Sequence, residues 1–230
     1  MIPVTALREI PGFGKLPESV LRAIHESAIP KKVEGGQIIY LQGELPSNLY
    51  ILLKGWVKSS RMTKEGREQG LLFLKPIDLF GLVSVFTNKP YPATVTSLGA
   101  AELLVIPQED FLNLVKKHIE LSFGIIDNLC QRNLHFINLI EDLSLRSVES
   151  RLAATLFKNA ESIDGELVVP REHWTTFDEM AVRLGTVRDV LSRALKTLEG
   201  ENLIQVTRTR IVILDPEGLL ERCDADPCGC

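Results

Sequence analysis

Between Val187 and Leu198 the residues able to do chemistry form a set at helical spacing: Arg188, Asp189, Ser192, Arg193 and Lys196. Advancing about 100° per residue from Arg188 gathers all five within an arc of roughly 140°. The apolar Val187, Val190, Leu191, Ala194, Leu195 and Leu198 take the opposite side. A face of this kind suits a DNA major groove. An arginine fork can bond guanine O6 and N7 together, a carboxylate can accept from the cytosine amino group, and a serine can serve a base or a phosphate. Arg188, Asp189, Ser192 and Arg193 are the candidate base readers. Lys196, further along, is better placed for phosphate.

Such a helix must be held in position, and the flanking sequence supplies the means. Thr176-Phe-Asp-Glu179 has the form of a capping box and opens a short helix, Phe177–Leu184, that stops at Gly185. Thr186-Val-Arg-Asp189 reads as a second, weaker box, so the pair forms a helix-turn-helix. Downstream, Leu203–Val206 and Ile211–Leu214 flank Thr207-Arg-Thr-Arg210, a hairpin whose tip carries Arg208 and Arg210. That hairpin is a wing for the DNA backbone. Thr175, Thr176 and Thr186 join Lys196, Arg208 and Arg210 as candidate backbone contacts.

Charge tests this reading. The chain has 230 residues and a formal net charge of −4, which argues against non-specific binding to nucleic acid. Over residues 145–222 there are 11 Lys and Arg against 13 Asp and Glu. The cations are instead concentrated: Arg183, Arg188, Arg193, Lys196, Arg208 and Arg210 lie in or beside the elements expected to face DNA, giving a local field that the whole chain lacks.

The rest of the chain reads as a separate domain. From Gly35 to Pro107, short β-prone runs punctuated by glycine indicate a sandwich or roll: 37–42, 49–53, 56–60, 70–74, 93–97 and 102–106. Pro17–Glu26 reads as an amphipathic helix covering it. After Pro107 the periodicity becomes helical. Ile126, Leu129, Asn133, Phe136, Ile140 and Leu143 then step by three and four, a seam broken by one asparagine. Such a seam pairs with a second copy or packs lengthwise on its own domain. Cys130, next to Leu129, reads as a buried small apolar residue. A further helix spans about 145–160, and Gly165–Pro170 is a short strand. The organisation expected is α+β: a roll at 1–116, a dimerisation helix at 117–144, a winged helix-turn-helix at 145–222 and a cysteine-rich tail at 223–230. No apolar run approaches the roughly 18 residues of a membrane span, and Met1–Glu9 does not read as a secretory signal. The expected location is the cytoplasm, with no membrane partner.

Two stretches resemble one family. The run Gly185–Glu199 followed by Asn202-Leu-Ile204, and the roll pattern Gly36–Gly43, Leu49-Tyr-Ile, Gly55–Lys58 and Asp78-Leu-Phe-Gly81, resemble the Crp/Fnr family of bacterial regulators over nearly the whole chain. The resemblance implies a cyclic-nucleotide-binding-type β-roll, a homodimer through the long helix, and a winged helix-turn-helix on double-stranded DNA. It makes Arg188, Asp189 and Arg193 the base-reading trio, with a TGTGA-like half-site. It also implies RNA polymerase as a partner and no enzymatic activity.

The departures concern the signal. Members that bind cyclic AMP hold its ribose with a Glu after the Gly and its phosphate with an Arg-Ser pair before an Ala. Here Leu82 follows Gly81 and Tyr91-Pro92 precede Ala93. The pocket expected from Gly81, Leu82, Tyr91, Ala93 and Thr94 lacks phosphate ligands, which argues against cyclic AMP, although Lys89 could swing in. A cyclic-nucleotide-responsive regulator, or a nucleotide-binding regulatory module without DNA function, are the alternatives. Some members carry an iron–sulfur cluster on C-terminal cysteines and an acidic residue of the dimer helix. Cys223, Cys228 and Cys230 with Asp142 resemble that arrangement. A thiol–disulfide or zinc site, and a tail without a role, remain open beside it. His135 has a family parallel in haem binding, but a packed or surface histidine is the simpler reading.

Overall fold

A computed structural model describes residues 4–163, 165–170 and 176–223 of the chain. They form two compact units, one holding the chain up to Arg61 and Leu71–His135, the other Met62–Gly70 and the chain from Phe136.

In the first unit a 3-10 turn, Val4–Glu9, precedes α1 (Glu18–Glu26). Val20, Leu21 and Ile24 of α1 are buried, as its apolar spacing predicts. The strands β1 (Ile29–Val33), β2 (Ile38–Tyr40), β3 (Asn48–Lys54), β4 (Val57–Met62), β5 (Glu68–Leu74) and β6 (Asp78–Phe80) follow. Next come α2 (Leu82–Thr87), β7 (Thr94–Ser97), β8 (Ala101–Pro107), α3 (Gln108–Lys117) and α4 (Ile119–Leu145). Two four-stranded sheets result, ordered β1-β8-β3-β6 and β2-β7-β4-β5. The sequence reading placed neither β1 nor β6, whose short runs Ile-Pro-Lys-Lys-Val and Asp-Leu-Phe carry little strand pattern of their own. Their registers come from pairing, β1 on β8 and β6 on β3.

Strand β3 is buried on both faces, which explains its unbroken apolar run. Leu49, Ile51 and Leu53 face a core shared with Leu7, Phe13, Leu21, Ile24, Phe111 and Leu121 from the turn, loop and helices around it. The alternate Tyr50 and Leu52 join the interior between the sheets, with Tyr40, Val57, Phe80, Tyr91 and Val95. A strand buried on two sides has no polar face to alternate with.

Across this unit α4 is fastened by backbone contact and by one polar network. A Cβ on Gly124 would lie 2.8 Å from the Gly12 carbonyl, and one on Gly12 2.1 Å from the Gly124 carbonyl. Two main chains approach there with no room for a side chain. One turn on, buried Asn128 donates to the Pro11 carbonyl at 2.9 Å. Arg132 donates to Asn128 Oδ1 at 2.9 Å, to the Asp78 carboxylate at 2.9 Å and to the Leu79 carbonyl. Burial pushes the Asp78 carboxyl above its usual range, and the Arg132 guanidinium beside it offsets part of that rise.

The second unit follows from the end of α4. Arg151 donates to the Asp142 and Arg146 carbonyls at 3.2 and 2.9 Å, so two carbonyls near that end are met by a side chain. α5 (Val148–Lys158) starts at Ser147, whose hydroxyl accepts from Ser150 N. Then come β9 (Glu161–Ile163), β10 (Glu166–Pro170), α6 (Phe177–Arg183), α7 (Arg188–Gly200), β11 (Ile204–Val206), β12 (Arg210–Ile213) and α8 (Pro216–Glu221). The strands form one antiparallel sheet, β11-β12-β10-β9. The core is built from Leu152 and Leu156 of α5, Met180 and Ala181 of α6, and the apolar face of α7.

The Arg132–Asp78 pair has a consequence for stability. A carboxyl whose folded value is raised favours the protonated form in the fold, so its contribution to stability declines as pH rises from the ordinary carboxylate range through the raised value. Arg132→Met removes the compensating charge and should destabilise the protein by on the order of 3 kcal/mol at neutral pH. The loss should shrink as pH falls, because protonation of Asp78 removes the charge left without a partner. Urea unfolding at neutral and at lower pH measures both quantities.

Candidate functional site

The helix pair α6 and α7 is built as its sequence suggests, with one difference in capping. Thr176 caps α6, its Oγ1 accepting from Glu179 N at 3.2 Å. Gly185, at φ +64°, turns the chain out of α6 in the left-handed region that glycine tolerates. The cap of α7 is Val187, with no side-chain hydrogen bond. Thr186 therefore does not form the second capping box. Val187 is half exposed rather than part of the core face, because the 100° step does not extend to a residue outside the helix.

From Arg188 onward the angular expectation holds. Leu191, Ala194, Leu195 and Leu198 are at most 3% exposed and Val190 is half-buried. Arg188, Asp189, Arg193 and Lys196 are exposed and Ser192 half-buried, so the helix shows the solvent one polar arc. Arg188 is the first helical residue, and its Nη1 lies 3.0 Å from Asp178 Oδ2 in the first turn of α6. Nothing in the sequence pattern signals that partner, ten positions away on another helix. Arg183 departs from the expected basic cluster: it is half-buried, and burial lowers the pKa of its guanidinium.

The hairpin beyond α7 matches the expected wing. β11 pairs with β12, and Thr207 closes its turn, accepting from Arg210 N at 3.1 Å and donating to the Arg210 carbonyl at 2.7 Å. Arg208 is exposed at the tip, and Arg210 pairs with Glu166 of β10 at 3.7 Å. The Glu199 carboxylate accepts from Val206 N at 2.9 Å, tying β11 to the end of α7. Thr175 lies outside the described residues.

The roll residues expected to line an effector pocket are only partly brought together. Gly81 lies close to Tyr91 and Tyr50, 3.6–3.8 Å from the position a Cβ would take. Ala93, two positions after Tyr91, is buried, and the half-buried Thr94 accepts from Gln42 N at 3.1 Å. Leu82 instead turns into the helix-side core with Val85. Aromatic rings cluster near Gly81. Tyr91 stacks on Tyr40 at 3.8 Å, and Tyr50 stacks on Phe80 at 5.2 Å. The Tyr91 hydroxyl donates to the Asn48 carbonyl at 2.9 Å, and burial pushes its pKa up to about 12. Tyr40 is raised further by the same cause. Lys89 is exposed.

On α4 the exposed face is clear. Ile119, Phe123, Ile126, Ile137 and Ile140 are 51–67% exposed, and with the exposed Cys130 and Asn133 they step by four and three along the helix. Of the expected seam, Ile126, Asn133 and Ile140 lie on this stripe. Leu129 and Leu143 are 36% and 37% exposed, and Phe136 is half-buried. Cys130 is not the buried residue the sequence suggested. Hydropathy alone could not tell which apolar positions the chain itself covers. His135, a candidate haem ligand, has its Nε2 3.0 Å from the Leu71 carbonyl.

Of the four candidate metal ligands, Cys228 and Cys230 lie outside the described residues. Cys223 is buried, its thiol donating to the Leu219 carbonyl at 3.5 Å. The Asp142 carboxylate is paired with Arg146 at 3.1 Å. These two are engaged separately, and among the described residues no group of three His, Cys, Asp or Glu could hold a metal.

Comparison with known proteins decides the family. A cyclic nucleotide-binding domain model matches residues 30–118, and a Crp-like helix-turn-helix domain model matches residues 150–222. The chain is 31% identical over 172 residues to the cyclic AMP receptor protein of Thermus thermophilus, covering 74% of this chain and 77% of that protein. The chain belongs to the Crp/Fnr family. It is also 26% identical over 214 residues to the CRP-like cAMP-activated global transcriptional regulator of Mycobacterium tuberculosis, covering 91% of this chain and 95% of the relative. The solved structure of the c-di-GMP responsive global regulator CLP of Xanthomonas campestris shares the fold, with a TM-score of 0.77 at 17% identity over 86% of this chain and 99% of that one. The protein is therefore a Crp/Fnr-type transcription regulator with a DNA-binding helix-turn-helix, not an enzyme. No described helix is long and apolar enough to cross a membrane.

Proposed function

We propose that this Crp/Fnr regulator acts in the cytoplasm as a homodimer on a TGTGA-like palindrome, with RNA polymerase as its partner in transcription. It responds to a redox, gas or small-molecule signal rather than to cyclic AMP. The observation that carries the DNA reading is the exposed arc of α7, on which Arg188, Asp189 and Arg193 face solvent while the opposite face is buried. Placement in the first turns of a recognition helix is where side chains reach base edges. Lys196 and Arg208 are free to meet phosphates on either side.

Support for the dimer comes from the exposed stripe of α4, whose 4-3 spacing suits a two-stranded seam with Asn133 within it. Support against cyclic AMP comes from the roll, where Tyr50 and Tyr91 crowd Gly81 and neither Leu82 nor Tyr91 can neutralise a phosphate. The tail cysteines are the alternative sensor. A cluster there would use thiolates, and Cys223 would first have to leave its buried bond to Leu219.

A gel shift with a TGTGA-N6-TCACA duplex tests the DNA reading. Arg193→Ala should lower affinity by roughly 10- to 100-fold and relax the sequence preference, whereas Lys196→Ala should weaken all duplexes alike and reduce the salt slope by about one. No binding under oxidising, reducing or anaerobic conditions would sink it.

For the dimer, Ile126→Asp with Ile137→Asp should give monomers in sedimentation velocity with unchanged helix content, since both side chains are exposed. A persisting dimer argues against the stripe.

Titration calorimetry with cyclic AMP should show no saturable heat. Absorption spectra and iron and zinc analysis after anaerobic purification decide whether the tail holds a cluster. A colourless, metal-free protein removes that sensor.

A further inference from the structure

Arg188 does not stand alone on the polar arc. Its guanidinium is held at 3.0 Å by Asp178, a residue of the other helix of the pair. We propose that Asp178 is a positioning residue for base recognition, fixing the Arg188 fork so that it addresses one guanine of the half-site. The inference rests on the DNA reading above.

Three features carry it. First, the bond uses Nη1 alone. A guanidinium has five N–H donors in a rigid plane, so one carboxylate oxygen on Nη1 leaves donors for the two acceptors of a guanine edge. Second, both side chains are more than half exposed, 61% for Arg188 and 68% for Asp178. An exposed pair of this kind does little for the stability of the fold, so its value lies in what it does to the arginine. A long side chain fixed before binding loses less freedom when it meets its target. Third, the pair spans the two helices of the motif at their first turns, α6 at Asp178 and α7 at Arg188. The orientation of the fork is therefore set by the packing of Met180 and Ala181 against the core and not by α7 alone.

The charge argument points the same way. A carboxylate in the first turn of α6 suits the positive end of that helix, but Glu179 already supplies one there. On a surface that meets phosphates a second carboxylate is unfavourable unless a cation accompanies it. Arg188 is that cation.

The test uses the full chain and three duplexes: TGTGA-N6-TCACA, and two in which the first or the second guanine of each half-site is replaced by adenine. Wild type should discriminate by roughly 10-fold or more at the guanine read by Arg188. Asp178→Asn keeps the shape and removes the charge. It should lower the discrimination at one guanine by roughly 3- to 10-fold and leave the other unchanged, and Asp178→Glu should restore part of it. If Asp178→Asn keeps both ratios, the inference is overturned, whether affinity rises on every duplex because a repulsive charge has gone or falls on every duplex because a helix start has weakened. If wild type itself distinguishes none of the duplexes, the operator reading fails and takes this inference with it.

Discussion

The burial of Leu191, Ala194, Leu195 and Leu198 fixes the rotation of α7 about its axis, and the DNA chemistry of this protein depends on that rotation. A helix has no other means of aiming five polar side chains in one direction: the apolar stripe is driven inward, and the opposite arc is left outside. Turned by a quarter, the same helix would bury Arg193 and expose Leu195. The cost of an unpaired buried guanidinium holds the orientation as firmly as the apolar gain. Around this constraint Thr176, Gly185 and Glu199 fix where the neighbouring elements start and turn.

In the first unit the same rule produces a different outcome. Strand β3 is covered on both faces, and one of them completes the roll with aromatic side chains. Family members that bind cyclic AMP need space and a phosphate partner beside the Gly that precedes α2. Here Tyr91 lies close to that Gly, stacks on Tyr40 and satisfies its hydroxyl on the Asn48 carbonyl. The protein shares the family architecture, and architecture alone does not name the signal.

Much of this was legible in the chain because the decisive signals are local. The 3.6-residue period, a threonine three positions before a glutamate, and a glycine after a short helix each act over a single turn, so the helix pair and its polar arc could be placed residue by residue. The same local reading failed wherever a partner is distant in sequence. The helical period places Val187 on a face that the helix has not yet begun to form, and the small apolar character of Cys130 suggests a core that the chain does not extend over it. Neither β1 nor β6 was found, since each is a strand only through its neighbour.

The sequence by itself determined which residues of α7 face outward and that a hairpin with arginines follows. The first is settled because burial of apolar side chains at fixed angular spacing admits one solution, the second because two short β-prone runs flank a polar turn. Only the tertiary structure decided that Arg132 is held by Asp78, 54 positions away, that Gly12 and Gly124 meet backbone to backbone, which apolar positions of α4 stay exposed, and that Arg188 leans on Asp178. Those contacts arise between elements whose sequences carry no record of each other, and packing in three dimensions is what brings them within bonding distance.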